Sequence, residues 1–252
     1  WYSRVRRKNT KRIEVRTYLI ATKESDYSKN SALSVIENYS KYLNKINYGH
    51  YNPVMYWGVD RYNSRSKLLE YNLTIKDEDE INKYSYVEEV LGCFLSHYEL
   101  WNKSVEYDEP ILILEHDVVI LSNPITMLEN IDKNSQSLLN VGRPIWSDET
   151  FGHLGGTHSY IVTPYVANKL IDSAKNNGVT QADVFLNRDI IDIVDVKPFV
   201  FEQLAKFSLI QKEDNFGKWG NGVEDQNNLI CGETAWNDSS KSKKFQNERR
   251  NK

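Results

Sequence analysis

The segment from Leu112 to Leu121 reads LILEHDVVIL and places three ionisable residues inside an apolar run. Burial of an unpaired charge is costly, because the protein interior solvates it poorly. A chain with Glu115, His116 and Asp117 at this point therefore either turns there or holds a cation. Two carboxylates at positions i and i+2 repel each other unless a cation lies between them, and oxygen ligands favour Mg²⁺ or Mn²⁺. A nitrogen ligand from His116 would favour Mn²⁺. The alternative to a cation site is a tight polar turn between two strands.

The sequence before this segment alternates strand and helix patterns. β-Branched and apolar residues predict a strand over 13–22, and apolar residues spaced by three or four predict a helix over 28–46. A second strand is predicted over 54–59, which completes a βαβ unit. A broad apolar stripe predicts another helix over 87–101, and the run at 111–114 is typical of a parallel strand covered on both faces. The chain is therefore predicted to be an α/β protein.

The second half continues the same pattern with shorter elements. A strand is predicted over 159–162, and Thr163-Pro164 has the residue types of an N-cap followed by the first helical position. Gly178 is a plausible end for that helix, and two further short strands are predicted between residues 190 and 201. Residues 61–85 are polar and contain an acidic run, so they are predicted to form a surface loop.

Charge is unevenly distributed along the 252 residues. Residues 1–12 hold six basic and no acidic side chains, and residues 241–252 hold six basic side chains and one acidic, which leaves 20 basic and 34 acidic between them. We predict a basic N-terminal segment at 1–12, a catalytic domain at 13–210 and a polar C-terminal extension with a basic tail at 211–252. The basic ends are either solvated tails or contacts for nucleic acid or anionic lipid.

The two cysteines, Cys93 and Cys231, form no disulfide framework and no zinc motif. This cysteine usage fits a reducing compartment. No window contains the roughly 18 or more consecutive apolar residues of a membrane span, and the N-terminus has no apolar signal-peptide core. We therefore expect a soluble, cytoplasmic protein, and the sequence leaves its oligomeric state open.

Two blocks of the chain resemble glycosyltransferase family 25, the lipooligosaccharide and procollagen galactosyltransferase group. The first block is 88–121, and the second, at 155–172, is similar to the family's Gly-Thr segment and its following helix. The family usually has an Asp soon after the second block, and Asp183 stands there. In the first block the matching residues are Gly92, Cys93, Ser96, His97, Trp101, Leu114, Glu115 and Asp117.

The resemblance implies a GT-A-type, Rossmann-like fold with a mostly parallel sheet flanked by helices. It also implies transfer of a sugar from a UDP-sugar to an acceptor hydroxyl, with inversion, and a metal that bridges the acidic motif and the diphosphate. Mn²⁺ or Mg²⁺ would be held by Glu115, His116 and Asp117. Inversion needs a general base, for which Asp183 and then Asp225 are the candidates. Alternatively, Asp183 is a helix N-cap or an ion-pair partner.

Seven further residues are candidate contacts for the sugar nucleotide. Some of them follow strand ends, where ligands bind in open α/β sheets. Others lie in the family motifs, and two are glycines that let the backbone approach a ligand closely. The glycine pair has an alternative role as a simple turn, and the histidine as a satisfied core residue. The candidates are Thr22, Lys23, Asp60, Ser96, His97, Gly155 and Gly156.

The chain departs from the family at two points. His116 stands where the family's acidic motif has its central Asp, and Ala21-Thr22-Lys23 replaces an Asn-Leu and Arg pattern after the first strand. Family precedent predicts a glycan or a hydroxylated protein side chain as acceptor. A DNA glycosyltransferase that acts on a hydroxymethylated base is the alternative, because basic ends would bind phosphates. A metal-dependent phosphohydrolase and a non-catalytic sugar-binding domain are the alternatives from other classes.

Overall fold

The computed structural model describes residues 15–43, 52–128, 131–132, 135–144 and 152–203. The predicted segments 1–12 and 211–252, and with them Asp225, lie outside the described residues. The strands are β1 (Arg16–Ala21), β2 (Val54–Trp57), β3 (Ile111–Glu115), β4 (Val118–Ile120), β5 (Leu138–Asn140), β6 (Ser159–Val162), β7 (Ile193–Asp195) and β8 (Phe201–Gln203). The helices are α1 (Asp26–Leu43), α2 (Arg61–Glu70), α3 (Glu78–Tyr84), α4 (Val87–Tyr107), α5 (Pro124–Leu128), α6 (Pro164–Asn177) and α7 (Ala182–Phe185).

One six-stranded sheet in the order β2-β1-β3-β6-β5-β7 forms the centre of the fold. β1 is parallel to both β2 and β3, and β5 is parallel to β7, whereas β6 is antiparallel to β3 and to β5. β4 and β8 form a separate antiparallel pair. The sheet is therefore mostly parallel and flanked by helices, which confirms the predicted α/β class. The strand β6 was predicted at these residues, but its antiparallel direction was not.

The direction of strand addition reverses at β1. β2 lies on one side of β1, and the next parallel strand, β3, lies on the other. The helix that follows β1, α1, contributes Ala32, Val35 and Tyr39 to the core on one face of the sheet, while α4 packs on the opposite face. Ligands in open α/β sheets bind outside the carboxyl ends of the strands at such a switch point. This edge of the sheet, between β1 and β3, is where a site is expected.

β3 is buried on both faces, as its apolar run predicts. Ile111 and Ile113 belong to the core shared with α4 and α6, whereas Leu112 and Leu114 belong to the core shared with α1. All four side chains are fully buried, and each contributes roughly 1.5–3 kcal/mol by leaving water. The position of the next residue, Glu115, is consequently determined by packing on both sides of the sheet.

The helix α4 approaches the end of β2 closely. A Cβ atom added at Gly92 would lie 2.5 Å from the carbonyl oxygen of Val59, so only glycine permits this approach. The Ser96 hydroxyl donates to the carbonyl of Gly92 at 2.6 Å and accepts from the amide of Val59 at 2.9 Å. Ser96 therefore fastens the segment before Asp60 to the helix.

The prediction of a surface loop over 61–85 is wrong, because α2 and α3 lie there. Few apolar residues anchor these helices, which is why their sequence has no visible apolar stripe. Leu68 and Ile81 are buried in the core that includes α4. Arg65 adds ion pairs with Glu78 and Glu88, at 2.5 and 2.9 Å.

The predicted ends of α6 are confirmed. The Thr163 side chain caps its first turn by accepting from the amide of Val166 at 3.4 Å, and Pro164 is at the first helical position. Gly178 ends the helix with a φ of 78°, which favours glycine. Among the described residues, no helix is long and apolar enough to cross a membrane.

Candidate active site at the end of β3

The chain turns between β3 and β4, so the segment LILEHDVVIL is two strands joined at His116 and Asp117. Asp117 is buried, at 6% exposure, and Glu115 keeps 18% of its side chain exposed. The polar turn, which is the alternative to a cation site, is thus present. A turn alone does not exclude a cation, since the hydrogen-bond partners of these side chains decide what they can bind.

Glu115 is an anchored carboxylate. Its Oε1 atom accepts from the Thr157 hydroxyl and lies 3.3 Å from His97 Nε2, and its backbone amide donates to the carbonyl of His158 at 2.9 Å. Burial opposes ionisation of Glu115, but the hydrogen bonds from His97 and Thr157 favour the carboxylate and lower its pKa below the usual value. Both side-chain bonds use Oε1, so Oε2 is the atom that remains for a ligand among the described residues.

Asp117 has one satisfied and one unsatisfied oxygen. Oδ2 accepts from Gln203 Nε2 at 2.9 Å, while Oδ1 is buried without a hydrogen-bond partner among the described residues. His116 Nε2 is also buried without a hydrogen-bond partner among the described residues. Burial, together with the charge of Glu115, raises the pKa of Asp117 to about 6. An unpaired buried carboxylate oxygen costs free energy that a bound cation would recover, so Asp117 by itself has the chemistry of a ligand for a hard divalent metal.

Within the described part of the chain, the group of side chains with metal-ligand spacing is a different one. Ligand atoms of Cys93, His97 and Glu115 lie within 4.8 Å of one another, and those of Glu115, His116 and Asp117 form no such group. Both ring nitrogens of His97 are engaged, and burial with nearby carboxylates raises the pKa of the Cys93 thiol well above its usual value. We therefore interpret this group as hydrogen-bonded support for Glu115.

Asp183 lies in the first turn of α7, near Glu115. Burial, and then the charge of Glu115, raises the pKa of Asp183 to about 6, and His153 opposes this shift. Its Oδ1 accepts from the amide of Val184 at 2.9 Å. The N-cap of α7 is Gln181, so Asp183 does not have the alternative role of N-cap.

The loop before β6 contributes two residues that sequence reasoning missed, Thr157 and His158. His158 is 1% exposed, both of its ring nitrogens lack a partner among the described residues, and burial lowers its pKa to about 4. Gly156 has a φ of 126° and its amide donates to Leu154, which is the turn role considered for the glycine pair. The signal was the polar pair directly after Gly155 and Gly156, but the antiparallel register that places it beside Glu115 is not readable from sequence.

The remaining candidates lie at the same edge of the sheet. The amide of Thr22 donates to the Ser28 hydroxyl at 3.0 Å, and exposed Lys23 has its Nζ 5.9 Å from the Trp57 ring centroid. The Asp60 carboxylate caps α2, and Ser96 bonds within the fold as described above. Thr22 and Lys23 thus follow β1 next to the switch point, whereas Asp60 and Ser96 already have structural partners. Their contacts with a sugar nucleotide stay predictions.

The model of glycosyltransferase family 25, described as an LPS biosynthesis protein family, matches residues 58–153. This segment contains α4 and the acidic turn after β3, so the match confirms the resemblance predicted from these motifs. It supports the prediction that the chain is a glycosyltransferase. No curated protein matches the chain.

Solved glycosyltransferase structures are similar to the chain at low sequence identity. The galactosyltransferase LgtC, in complex with donor and acceptor sugar analogues, is 12% identical over 75% of this chain and 86% of its own, with a TM-score of 0.43. A glycosyltransferase involved in glycosylation of the major capsid of PBCV-1 is 10% identical over 76% and 96%, with a TM-score of 0.42. GlyE of Streptococcus pneumoniae TIGR4 is 10% identical over 86% and 62%, with a TM-score of 0.41.

Proposed function

We propose that this chain is a metal-dependent glycosyltransferase that moves a sugar from a UDP-sugar to an acceptor hydroxyl with inversion. One observation carries the proposal. At the switch point of the sheet, inside the segment matched by the family model, Asp117 has a buried Oδ1 without a partner among the described residues, and the neighbouring Glu115 is held ionised. Unsatisfied anionic oxygens at a strand's carboxyl end fit a cation and a diphosphate.

The metal would be held by Glu115, His116 and Asp117, whose ligand atoms do not all lie within 4.8 Å of one another in this structure and would have to move together when it binds. When bound, Mn²⁺ or Mg²⁺ supplies Lewis-acid stabilisation of the negative charge on the departing diphosphate. Asp117 must be ionised for this role, and its pKa of about 6 leaves it mostly ionised at neutral pH. Glu115 is ionised in the physiological range because its pKa is lowered by its hydrogen bonds.

Asp183 is the proposed general base. The bond between the anomeric carbon and the diphosphate oxygen breaks, a bond from the acceptor oxygen to that carbon forms, and the hydroxyl proton passes to the Asp183 carboxylate. A base is most effective when its pKa lies near the working pH, and that of Asp183 is raised to about 6. Asp225 stays the second candidate for this role.

The donor would lie along the edge formed by the ends of β1 and β3. Thr22 and Lys23 follow β1 there, and the cation of Lys23 suits the diphosphate. The backbone at Gly155 and Gly156 is buried before β6 and would approach the sugar. We keep a glycan or a hydroxylated protein side chain as the proposed acceptor, since the 20 basic and 34 acidic side chains between the basic ends oppose a broad DNA-binding face.

A panel of sugar nucleotides, assayed for UDP release with Mn²⁺, Mg²⁺ or a chelator, tests the proposal. Asp117→Asn is expected to lower turnover about 100-fold or more, as removal of a group that stabilises transition-state charge does. Asp172→Asn, an exposed carboxylate on α6, is the matched control and should keep full activity. Phosphate ester cleavage without sugar transfer would indicate a phosphohydrolase. Binding of UDP-sugar unaffected by Mn²⁺, without UDP release, would indicate a sugar-binding domain.

A further inference from the structure

A chain of three buried side chains leads from the core to Glu115. Trp101 Nε1 donates to the Tyr160 hydroxyl at 2.9 Å, this hydroxyl lies 2.9 Å from His97 Nδ1, and His97 Nε2 lies 3.3 Å from Glu115 Oε1. Trp101 and Tyr160 are fully buried, and His97 is 1% exposed. Because all three side chains are buried, a misdirected donor would be left without an acceptor, so the three bonds must agree in direction.

The direction follows from the first residue of the chain. The indole of Trp101 can only donate, so the Tyr160 oxygen accepts from it. The Tyr160 O–H then needs an acceptor, and His97 Nδ1 is the neighbour that provides one. Since Nδ1 accepts, the proton of the neutral imidazole is on Nε2, from which it is donated to Glu115 Oε1. An imidazolium would donate from both nitrogens and leave the buried Tyr160 hydroxyl hydrogen without its acceptor.

We propose that Trp101, Tyr160 and His97 are positioning residues that fix the carboxylate of Glu115 by holding His97 in the Nε2–H tautomer. The Thr157 hydroxyl and the imidazole both occupy Oε1, so the carboxylate cannot rotate without breaking two bonds. Oε2 is thereby presented to the cation and diphosphate. The part of this role that concerns the cation rests on the function proposed above, whereas the tautomer does not.

The same aromatic residues also support the candidate base. The Trp101 and Phe185 rings are stacked, with centroids 5.8 Å apart and planes at 20°. Phe185 belongs to the short helix that carries Asp183. His97 and Tyr160 are stacked as well, at 5.7 Å and 26°. Trp101 is therefore common to the support of both carboxylates, Glu115 through hydrogen bonds and Asp183 through ring packing.

Long-range ¹H–¹⁵N NMR of protein labelled at histidine tests the tautomer without any substrate. His97 is expected to show a protonated Nε2 and an unprotonated Nδ1 in the wild type. In Tyr160→Phe, which removes one hydroxyl and preserves the ring, the ¹⁵N resonance of Nδ1 is expected to shift because Nδ1 no longer accepts a hydrogen bond, whereas Glu115 still holds the proton on Nε2. A wild-type His97 with its proton on Nδ1, or with protons on both nitrogens, would overturn the proposal.

Tyr160→Phe also tests the positioning role. Outer residues that orient a metal ligand typically contribute 10- to 100-fold, so we expect Mn²⁺ affinity, measured by electron paramagnetic resonance, and kcat to fall about 10-fold. Tyr98→Phe on α4 removes a phenol hydroxyl from an equally buried ring and serves as the control. If Tyr160→Phe behaves like Tyr98→Phe in both assays, the positioning role is wrong. If instead the wild type turns over no sugar nucleotide and binds no Mn²⁺, the proposed function fails while the tautomer result stands.

Discussion

The carboxyl ends of β2 and β3 both carry acidic residues, yet the two ends differ in what those residues bind. Both oxygens of Asp60 accept from Asn63, at 2.8 Å from its amide and 2.7 Å from its side chain. Asp117 instead keeps a buried oxygen without a partner in the part of the chain described. The cause lies in the element that follows. A helix begins after Asp60, and its free amides take up the carboxylate.

After Asp117 a strand begins, and the amides of β4 are directed at β8 rather than at the carboxylate. An acid at a strand end is thus available to a ligand only when the next element leaves one of its oxygens free. The sequence rule that ligands bind at strand ends treats Asp60 and Asp117 alike, whereas the structure separates a capping residue from a residue available to a cation.

The largest effect is expected from Glu115→Gln, which keeps the shape of the side chain and removes its charge. We expect turnover of the donor to fall about 100- to 1,000-fold, as it does when a group that stabilises transition-state charge is lost. Asp172→Asn provides the matched exposed control. UDP release at saturating donor measures the effect. If Glu115→Gln were as active as Asp172→Asn, the acidic end of β3 would have no role in turnover.

The next effect concerns pH. A protonated Asp183 cannot accept a proton, so kcat/KM is expected to fall about 10-fold for each pH unit below its raised pKa of about 6. pH–rate profiles of the wild type and of Asp183→Asn measure this. The variant is expected to lose most of its activity, and its residual activity should no longer fall at acidic pH. An acidic limb that persists in the residual activity of Asp183→Asn would assign it to Asp117, whose pKa is also about 6.

The smallest effect is expected from the end of β2. Asp60→Ala removes the cap of α2 and should lower the free energy of unfolding by about 1 kcal/mol, whereas Asp60→Asn keeps a capping oxygen and should cost only a few tenths. Urea denaturation measures both. A large rise in the donor KM of Asp60→Asn, without loss of stability, would instead support the predicted nucleotide contact. Asp60 would then bind a ligand as Asp117 is proposed to do.

Much of the fold was readable because its elements bury strong apolar patterns. The run at 111–114 and the stripe at 87–101 gave β3 and most of α4, although α4 continues to Tyr107. The sequence pattern did not predict α2 and α3 because each helix buries few residues. These are Ser64 and Leu68 in α2 and Ile81 in α3. The antiparallel placement of β6 escaped for another reason, since neither strand order nor strand direction is encoded in a local pattern.

The site was readable to the extent that it lies close together in sequence. Glu115 and Asp117 stand in one motif, and Asp183 follows the second family block at the expected distance. Gln203 reaches Asp117 from 86 positions away through the pairing of β8 with β4. Thr157 and Tyr160 meet Glu115 and His97 through the register of β6 on β3. Contacts of this kind depend on tertiary pairing, which one sequence does not reveal.

The sharing of β3 between two cores has a consequence for how the protein opens. Its amides and carbonyls bond to β1 on one side and β6 on the other, and its side chains alternate between the two hydrophobic layers. Exchange of β3 amide protons with solvent therefore requires both layers to separate, which amounts to global unfolding. We therefore expect the β3 amides to be among the slowest to exchange, and Glu115 lies at the end of this strand.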